Sequence, residues 1–115
     1  MIEGIGIDVV DIDRFAQSLE RTPLLAERVF TDSERSLSIS SKAGRFAAKE
    51  ALAKALDAGK GLSWLDAEVI NLESGKPAFI FRGEIADLID GATVHLSISH
   101  DAGIASAIVI VERQP

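Results

Sequence analysis

The sequence predicts an α+β domain, a mainly antiparallel sheet packed with one long helix and several short helices. Three stretches carry that expectation. Residues 2–10 alternate, with Ile5, Ile7 and Val9 on one face and Ile2, Gly4, Gly6 and Asp8 on the other, which is the period of a strand. Residues 42–57 repeat at helical spacing, with Ala48, Ala51, Leu52 and Ala55 as an apolar seam. Residues 93–99 and 103–112 read as two strands joined at His100-Asp101-Ala102-Gly103, the pattern of a hairpin.

Taken in order, the first strand shares one face between Asp8 and two glycines, which leaves room for close approach by a ligand or another backbone. Asp11 is placed to cap a helix running to about residue 21, with Ile12, Phe15 and Leu19 at helical spacing and Arg14, Ser18 and Arg21 on a different side. Thr22-Pro23 interrupts that helix, and Pro23 suits the first turn of a short one through residue 30. Thr31, Asp32, Ser33 and Glu34 form a capping-box pattern ahead of a serine-rich connection at 36–41. The long helix follows, and Gly59-Lys60-Gly61 is expected to end it. A strand at 67–72, a turn at Glu73-Ser74-Gly75-Lys76, a strand at 78–82 and a short helix at 84–89 complete the pass.

No repeat, low-complexity segment or linker divides the 115 residues, so the chain is expected to be one domain, 1–115. A domain this small buries only roughly two-thirds of its unfolded surface. With 47% apolar residues and a nearly unbroken apolar run at 104–111, it is expected to oligomerise and to place sites between subunits. Eighteen acidic against twelve basic residues argue against general nucleic-acid binding, where a basic surface supplies most of the affinity. The absence of cysteine excludes disulfides and thiolate metal sites. MIEGIGIDVV lacks the features of a signal peptide and no apolar run is of membrane-spanning length, so a soluble cytoplasmic protein with no membrane partner is expected.

Several side chains are candidates for chemistry. Asp8 and Glu50 form a hard oxygen pair suited to Mg²⁺, which takes one or two protein carboxylates and completes its shell with water and phosphate oxygens. Asp8 also reads as a strand-end cap. Glu50 and Lys54 stand one helical turn apart, where they serve a metal and a phosphate or form an exposed ion pair worth only ~0.3–0.5 kcal/mol. Arg45 and Lys42 are either solubilising charges or phosphate contacts, and Lys76, in Gly75-Lys76-Pro77, lies in a tight inter-strand turn. His100 shares strand parity with Val94, Leu96 and Ile98, as a core or rim histidine would. Arg14, Arg21 and Arg28 recur every seven residues and would align into a basic patch for an acidic partner if the helical phase persisted past Pro23. Asp11-Ile12-Asp13 has the form of an Asp-x-Asp phosphatase motif, though Asp11 serves better as a cap.

GIGIDVVDIDRF at 4–15, RFAAKEALAK at 45–54 and LSISHD at 96–101 together resemble the 4′-phosphopantetheinyl transferase superfamily, within it the short holo-acyl-carrier-protein synthase group. The resemblance implies that group's fold and the transfer of a 4′-phosphopantetheine arm from coenzyme A to a serine of an apo acyl carrier protein or carrier domain, releasing adenosine 3′,5′-bisphosphate. It implies that Asp8 and Glu50 hold Mg²⁺ or Mn²⁺, that Glu50 takes the serine proton, and that Lys54 stabilises the leaving phosphate. Arg45 and His100 would hold the adenosine phosphates, with Lys42 and Lys76 as further coenzyme contacts, and Arg14, Arg21 and Arg28 would meet the carrier. It also implies a homotrimer with interfacial active sites serving fatty acid biosynthesis. The chain departs from the family pattern in loops: the segment between Phe30 and Arg45 is short, Gly59-Lys60-Gly61 lacks a threonine, and Asp101 follows His100. The alternatives are a non-catalytic oligomeric protein-binding module and a Mg²⁺-dependent phosphohydrolase that uses water as the nucleophile.

Overall fold

The structure, a computed structural model, describes residues 1–57 and 61–115. The chain runs β1 (Ile2–Asp11), α1 (Ile12–Arg21), α2 (Leu24–Val29), α3 (Asp32–Arg35), α4 (Ile39–Ala55), a 3₁₀ turn at Trp64–Asp66, β2 (Ala67–Asn71), β3 (Pro77–Phe81), α5 (Gly83–Leu88), β4 (Ala92–Asp101) and β5 (Ile104–Arg113). The strands form two antiparallel sheets: β1-β5-β4 and the hairpin β2-β3.

Local chemistry sets the helix boundaries. Asp11 caps α1, its carboxylate accepting the Arg14 N–H at 2.9 Å. The capping box at Thr31 is complete, with Glu34 returning to the Thr31 N–H. The long helix differs from its expected bounds. It starts at Ile39 because the Ser38 hydroxyl accepts the Ser41 N–H, so two of the serines read as connection form its first turn. It ends at Ala55, with Asp57 in the left-handed region; Gly59 and Lys60 lie outside the described residues. The β4–β5 turn is also tighter than expected. Ala102 and Gly103 both have positive φ, so His100 and Asp101 belong to β4, opposite Ala105 and Ile104.

Helix α4 crosses the inner face of the three-stranded sheet, with Ala43, Ala47, Ala48, Ala51, Leu52 and Ala55 buried beneath it. Ala105, Ala107, Val109 and Val111 of β5 supply the facing surface, and Phe15, Phe30 and Phe46 close one flank through stacked and edge-on ring contacts. The close approach anticipated for the glycine face of β1 is an approach by backbone. A Cβ on Gly6 would overlap the Ala51 carbonyl, and one on Gly4 would overlap that of Ala55. The opposite face of β1 points away from the core, leaving Ile5, Ile7 and Val9 58%, 59% and 62% exposed beside Ile108 of β5.

The small sheet is tied to α3 by a carboxylate. Glu68 on β2 accepts hydrogen bonds from Ser33 Oγ, Arg82 Nη2 and Thr31 Oγ1 at 2.5, 2.9 and 2.8 Å, which pull its pKa down to about 2. The folded value lies below the unfolded one, so this stabilisation is present above pH 4.5 and is lost as the pH falls from 4.5 toward 2. The stability gap between the parent protein and Glu68→Gln, measured by urea denaturation, should therefore be wide at neutral pH and shrink through that window. An unchanging gap would contradict the assignment. Gly6→Ala should destabilise the fold by at least ~1–3 kcal/mol, since the clash is with helix backbone that cannot rotate away.

Candidate active site

Among the described residues, two clefts beside α4 gather candidate side chains. The first, of about 430 Å³, lies between α4, β1 and α1 and is lined by Asp8, Arg14, Phe15, Ser18, Phe46 and Glu50. Asp8 arrives there because it is on the inward parity of β1, two residues beyond Gly6; Glu50 arrives because it precedes Ala51, the residue Gly6 touches. Asp8 lies within the strand, opposite Ala107, and the capping role belongs to Asp11.

The Glu50–Lys54 ion pair is not made. Lys54 Nζ donates instead to the Ile7 carbonyl at 2.8 Å and to Asp8 Oδ1 at 3.3 Å, and no hydrogen bond or ion pair engages the Glu50 carboxylate among the described residues. Burial beside the stacked Phe15–Phe46 pair raises the Glu50 pKa, the Asp8 charge raises it further, and Lys54 opposes both. Two carboxylates that repel one another across an open cleft are a donor set for a hard cation. Among the described residues no cluster of three or more ligating side chains exists, so the pair suits Mg²⁺ with its remaining shell from water and phosphate, and does not suit a closed protein cage.

The second cleft, of about 360 Å³, lies on the other side of α4 and is lined by Ser40, Ser41, Arg45, Gly75, Ser99 and His100, among others. It collects cationic and N–H character. Arg45 is buried, donating from Nε to the Val69 carbonyl at 3.3 Å and from Nη1 to the Ser41 carbonyl at 3.5 Å, which leaves part of its donor fork for the cleft. Burial lowers its pKa, with Glu34 opposing, yet a guanidinium stays charged. The first turn of the 17-residue α4 opens here, adding the positive end of a helix dipole. Lys76 sits between two lining residues, Gly75 and Pro77, and Lys42 follows Ser41; neither lines the cleft itself.

The structure thus brings Asp8, Glu50, Lys54 and Arg14 together on one side and Arg45 and His100 on the other. Glu50 is five positions after Arg45, which turns them about 140° apart around the helix. Arg21 and Arg28 are exposed on α1 and α2, and the non-helical backbone at Thr22 breaks the helical phase between them. Sequence reasoning missed Phe46, Ser40 and Ser41 as cleft residues and Lys49 as a buried one. Phe46 follows Arg45 and stands four residues before Glu50, spacing that signals a shared face.

Residues 4–107 match the family model of the 4′-phosphopantetheinyl transferase superfamily. The chain belongs to this superfamily. The holo-[acyl-carrier-protein] synthase of Leifsonia xyli is 53% identical over 98% of both chains, and that of Clavibacter michiganensis 55% over 97% of both. Among solved structures, the holo-(acyl-carrier-protein) synthase of Bacillus anthracis in complex with CoA (3′,5′-ADP) is 40% identical, with a TM-score of 0.82 over 99% of both chains. The Helicobacter pylori enzyme in complex with coenzyme A is 39% identical, with a TM-score of 0.84 over 94% of this chain and 99% of that one. The expected fold class is borne out by these superfamily members, which share the arrangement of long helix and antiparallel strands.

Because burial and Asp8 both disfavour its charge, the Glu50 carboxyl should titrate above the usual 4.5 in a ¹³C NMR experiment. Lys54→Met should move the midpoint higher still, since the cation that opposes the shift is gone. A midpoint at or below 4.5 in the unsubstituted protein would show that Glu50 is solvated and outside the cleft.

Proposed function

We propose that this protein transfers the 4′-phosphopantetheine group of coenzyme A to a serine hydroxyl of an apo acyl carrier protein, releasing adenosine 3′,5′-bisphosphate. The observation that carries the reading is the convergence of Asp8 and Glu50 in one cleft, with Lys54 bonded to Asp8, in a chain that matches holo-[acyl-carrier-protein] synthases over nearly its whole length.

Asp8 and Glu50 would hold Mg²⁺, which when bound supplies Lewis-acid neutralisation of pyrophosphate oxygens. Glu50 receives the proton of the attacking serine, directly or through an ordered water. Lys54 stands over Asp8 with its ammonium exposed, placed to meet charge growing on the leaving phosphate. Arg45, His100 and the α4 N-terminus hold the adenosine phosphates, with Lys42 and Lys76 at the margin. Arg14 lines the acid cleft itself, so an acidic carrier drawn by Arg14, Arg21 and Arg28 would bring its serine toward Glu50.

The two clefts open on opposite sides of α4, and the outer face of β1 and β5 is apolar and bare. Both features support a homotrimer in which the acid cleft of one copy meets the cationic cleft of the next. The reaction would serve fatty acid synthesis in the cytoplasm.

Intact mass spectrometry of an apo acyl carrier protein, incubated with this protein, coenzyme A and Mg²⁺, should show the gain of one phosphopantetheine arm, abolished by EDTA. Glu50→Gln should lose at least about a hundredfold in kcat while keeping its circular dichroism spectrum. Release of inorganic phosphate without an acceptor would point instead to hydrolysis. Glu50→Gln and His100→Ala chains, each impaired alone, should regain part of the activity when unfolded and refolded together, because a mixed assembly contains sites with both halves intact. No recovery on mixing would place each site within one chain.

A further inference from the structure

We propose that Lys49, through its buried pairing with Glu34, is a positioning residue that fixes the rotation of α4 and thereby the aim of Glu50. The inference rests on the reading that Glu50 works with Asp8 at a cation.

Lys49 is the residue before Glu50, yet it points the opposite way from solvent. The Lys49 and Glu34 side chains are each 1% exposed, with Nζ 2.7 Å from Glu34 Oε1. Nζ also donates to the Val29 carbonyl at 2.5 Å and to the Trp64 carbonyl at 3.1 Å, so all three of its N–H groups are used. The Phe30 ring lies 5.5 Å from the same nitrogen. Glu34 in turn accepts the Thr31 N–H at 2.9 Å on Oε1 and the Val69 N–H at 2.8 Å on Oε2. One ammonium therefore ties α4 to the end of α2, to α3 and to the 3₁₀ turn, and one carboxylate extends the tie to β2.

Stability alone does not account for such a pair. Replacing a buried ion pair with well-packed apolar residues is often neutral or stabilising. What three directional bonds add over an apolar plug is rotational definition. The glycine contacts with β1 limit how near α4 comes, and the bonds of Arg45 to the Val69 carbonyl and of Lys54 to the Ile7 carbonyl join it to β2 and β1. Lys49, about 100° around the helix from Glu50, adds three bonds on a further side, where they resist a roll about the helix axis. A turn of about 10°, at the roughly 5–6 Å radius of helix side chains, moves a carboxylate by about 1 Å, a displacement that costs on the order of a hundredfold in rate.

The test uses Lys49→Met combined with Glu34→Leu, which removes both charges and leaves none stranded, with Ile85→Ala as a comparably destabilised control on α5. Mn²⁺ binding to each protein with coenzyme A and no carrier is followed by water-proton relaxation, alongside kcat, carrier KM and thermal unfolding. The expected result is a folded double variant whose Mn²⁺ affinity falls about tenfold or more, with kcat reduced and carrier KM unchanged, while the control keeps parental Mn²⁺ affinity. A folded double variant with Mn²⁺ affinity and kcat within about twofold of the parent would overturn the inference. Should the double variant fail to fold, Lys49→Gln combined with Glu34→Gln, which strands no charge and retains oxygen for the Thr31 or Val69 N–H, is read by the same two criteria. A parent protein that binds Mn²⁺ but transfers nothing would sink the transferase reading and leave the positioning inference to the Mn²⁺ measurement.

Discussion

Backbone contact between β1 and α4 sets the geometry on which the candidate chemistry depends. Gly4 and Gly6 admit the Ala55 and Ala51 carbonyls to a distance no side chain would allow, and the alanines of α4 keep the rest of the interface equally thin. Asp8 and Glu50 are the first polar residues beyond that contact on strand and helix, so their separation is inherited from it. A conventional packing of large aliphatic residues, with interaxial spacing near 10 Å, would hold the two carboxylates too far apart to share one cation. The same thinness brings Lys54 to the Ile7 carbonyl and Asp8 rather than to Glu50. Small residues at this interface are therefore part of the site, although none of them touches a reacting group.

Charge is buried where shape alone would leave freedom. Lys49, Glu34, Arg45 and Glu68 are all buried, in a protein whose size leaves little core to compensate for desolvation. They are tolerated because each is bonded: among the described residues no buried side-chain nitrogen or oxygen lacks a partner. Their partners come from α2, α3, the 3₁₀ turn, β2 and Arg82 at the start of α5, elements too short to hold position by hydrophobic area. The network gives those pieces a single register against α4. A core of interchangeable aliphatic side chains would define that register less sharply.

Much of this was legible in the sequence, for reasons that differ by residue. Strand β1, the capping box at Thr31 and the alanine seam depend on short-range periodicity and hydrogen bonding, which a sequence displays directly. The α4 N-terminus was placed three residues late because serines compete equally well as caps and as loop formers, and only the Ser38 side-chain bond decides between them. At the site, Asp8, Glu50 and Lys54 could be named from their spacing and family resemblance. That Lys54 turns to β1 rather than to Glu50 could not, since it depends on a strand 46 residues away. Lys49 was hidden for a different reason. A lysine between an alanine and a glutamate reads as surface, and only the convergence of three carbonyl and carboxylate oxygens makes burial tolerable.

The exposed isoleucines and the divided clefts are one problem with one economical solution. A helix has two flanks, and this one carries carboxylates on one and a guanidinium with its own N-terminal dipole on the other. Placing all of these groups on a single flank would set Arg45 beside Glu50 and Asp8, where salt bridges among them would consume the charges a phosphate and a cation require. Separation across α4 keeps each set unpaired with the other. On the reading proposed above, neither cleft is a whole site by itself and a second copy supplies the missing half. The outer face of β1 provides the means, since covering what remains exposed of Ile5, Ile7 and Val9 contributes on the order of 1–2 kcal/mol per side chain. The glycine face of β1 turns inward beside the carboxylate cleft, and its isoleucine face, by the parity of the same strand, turns outward, where on that reading the second copy would sit.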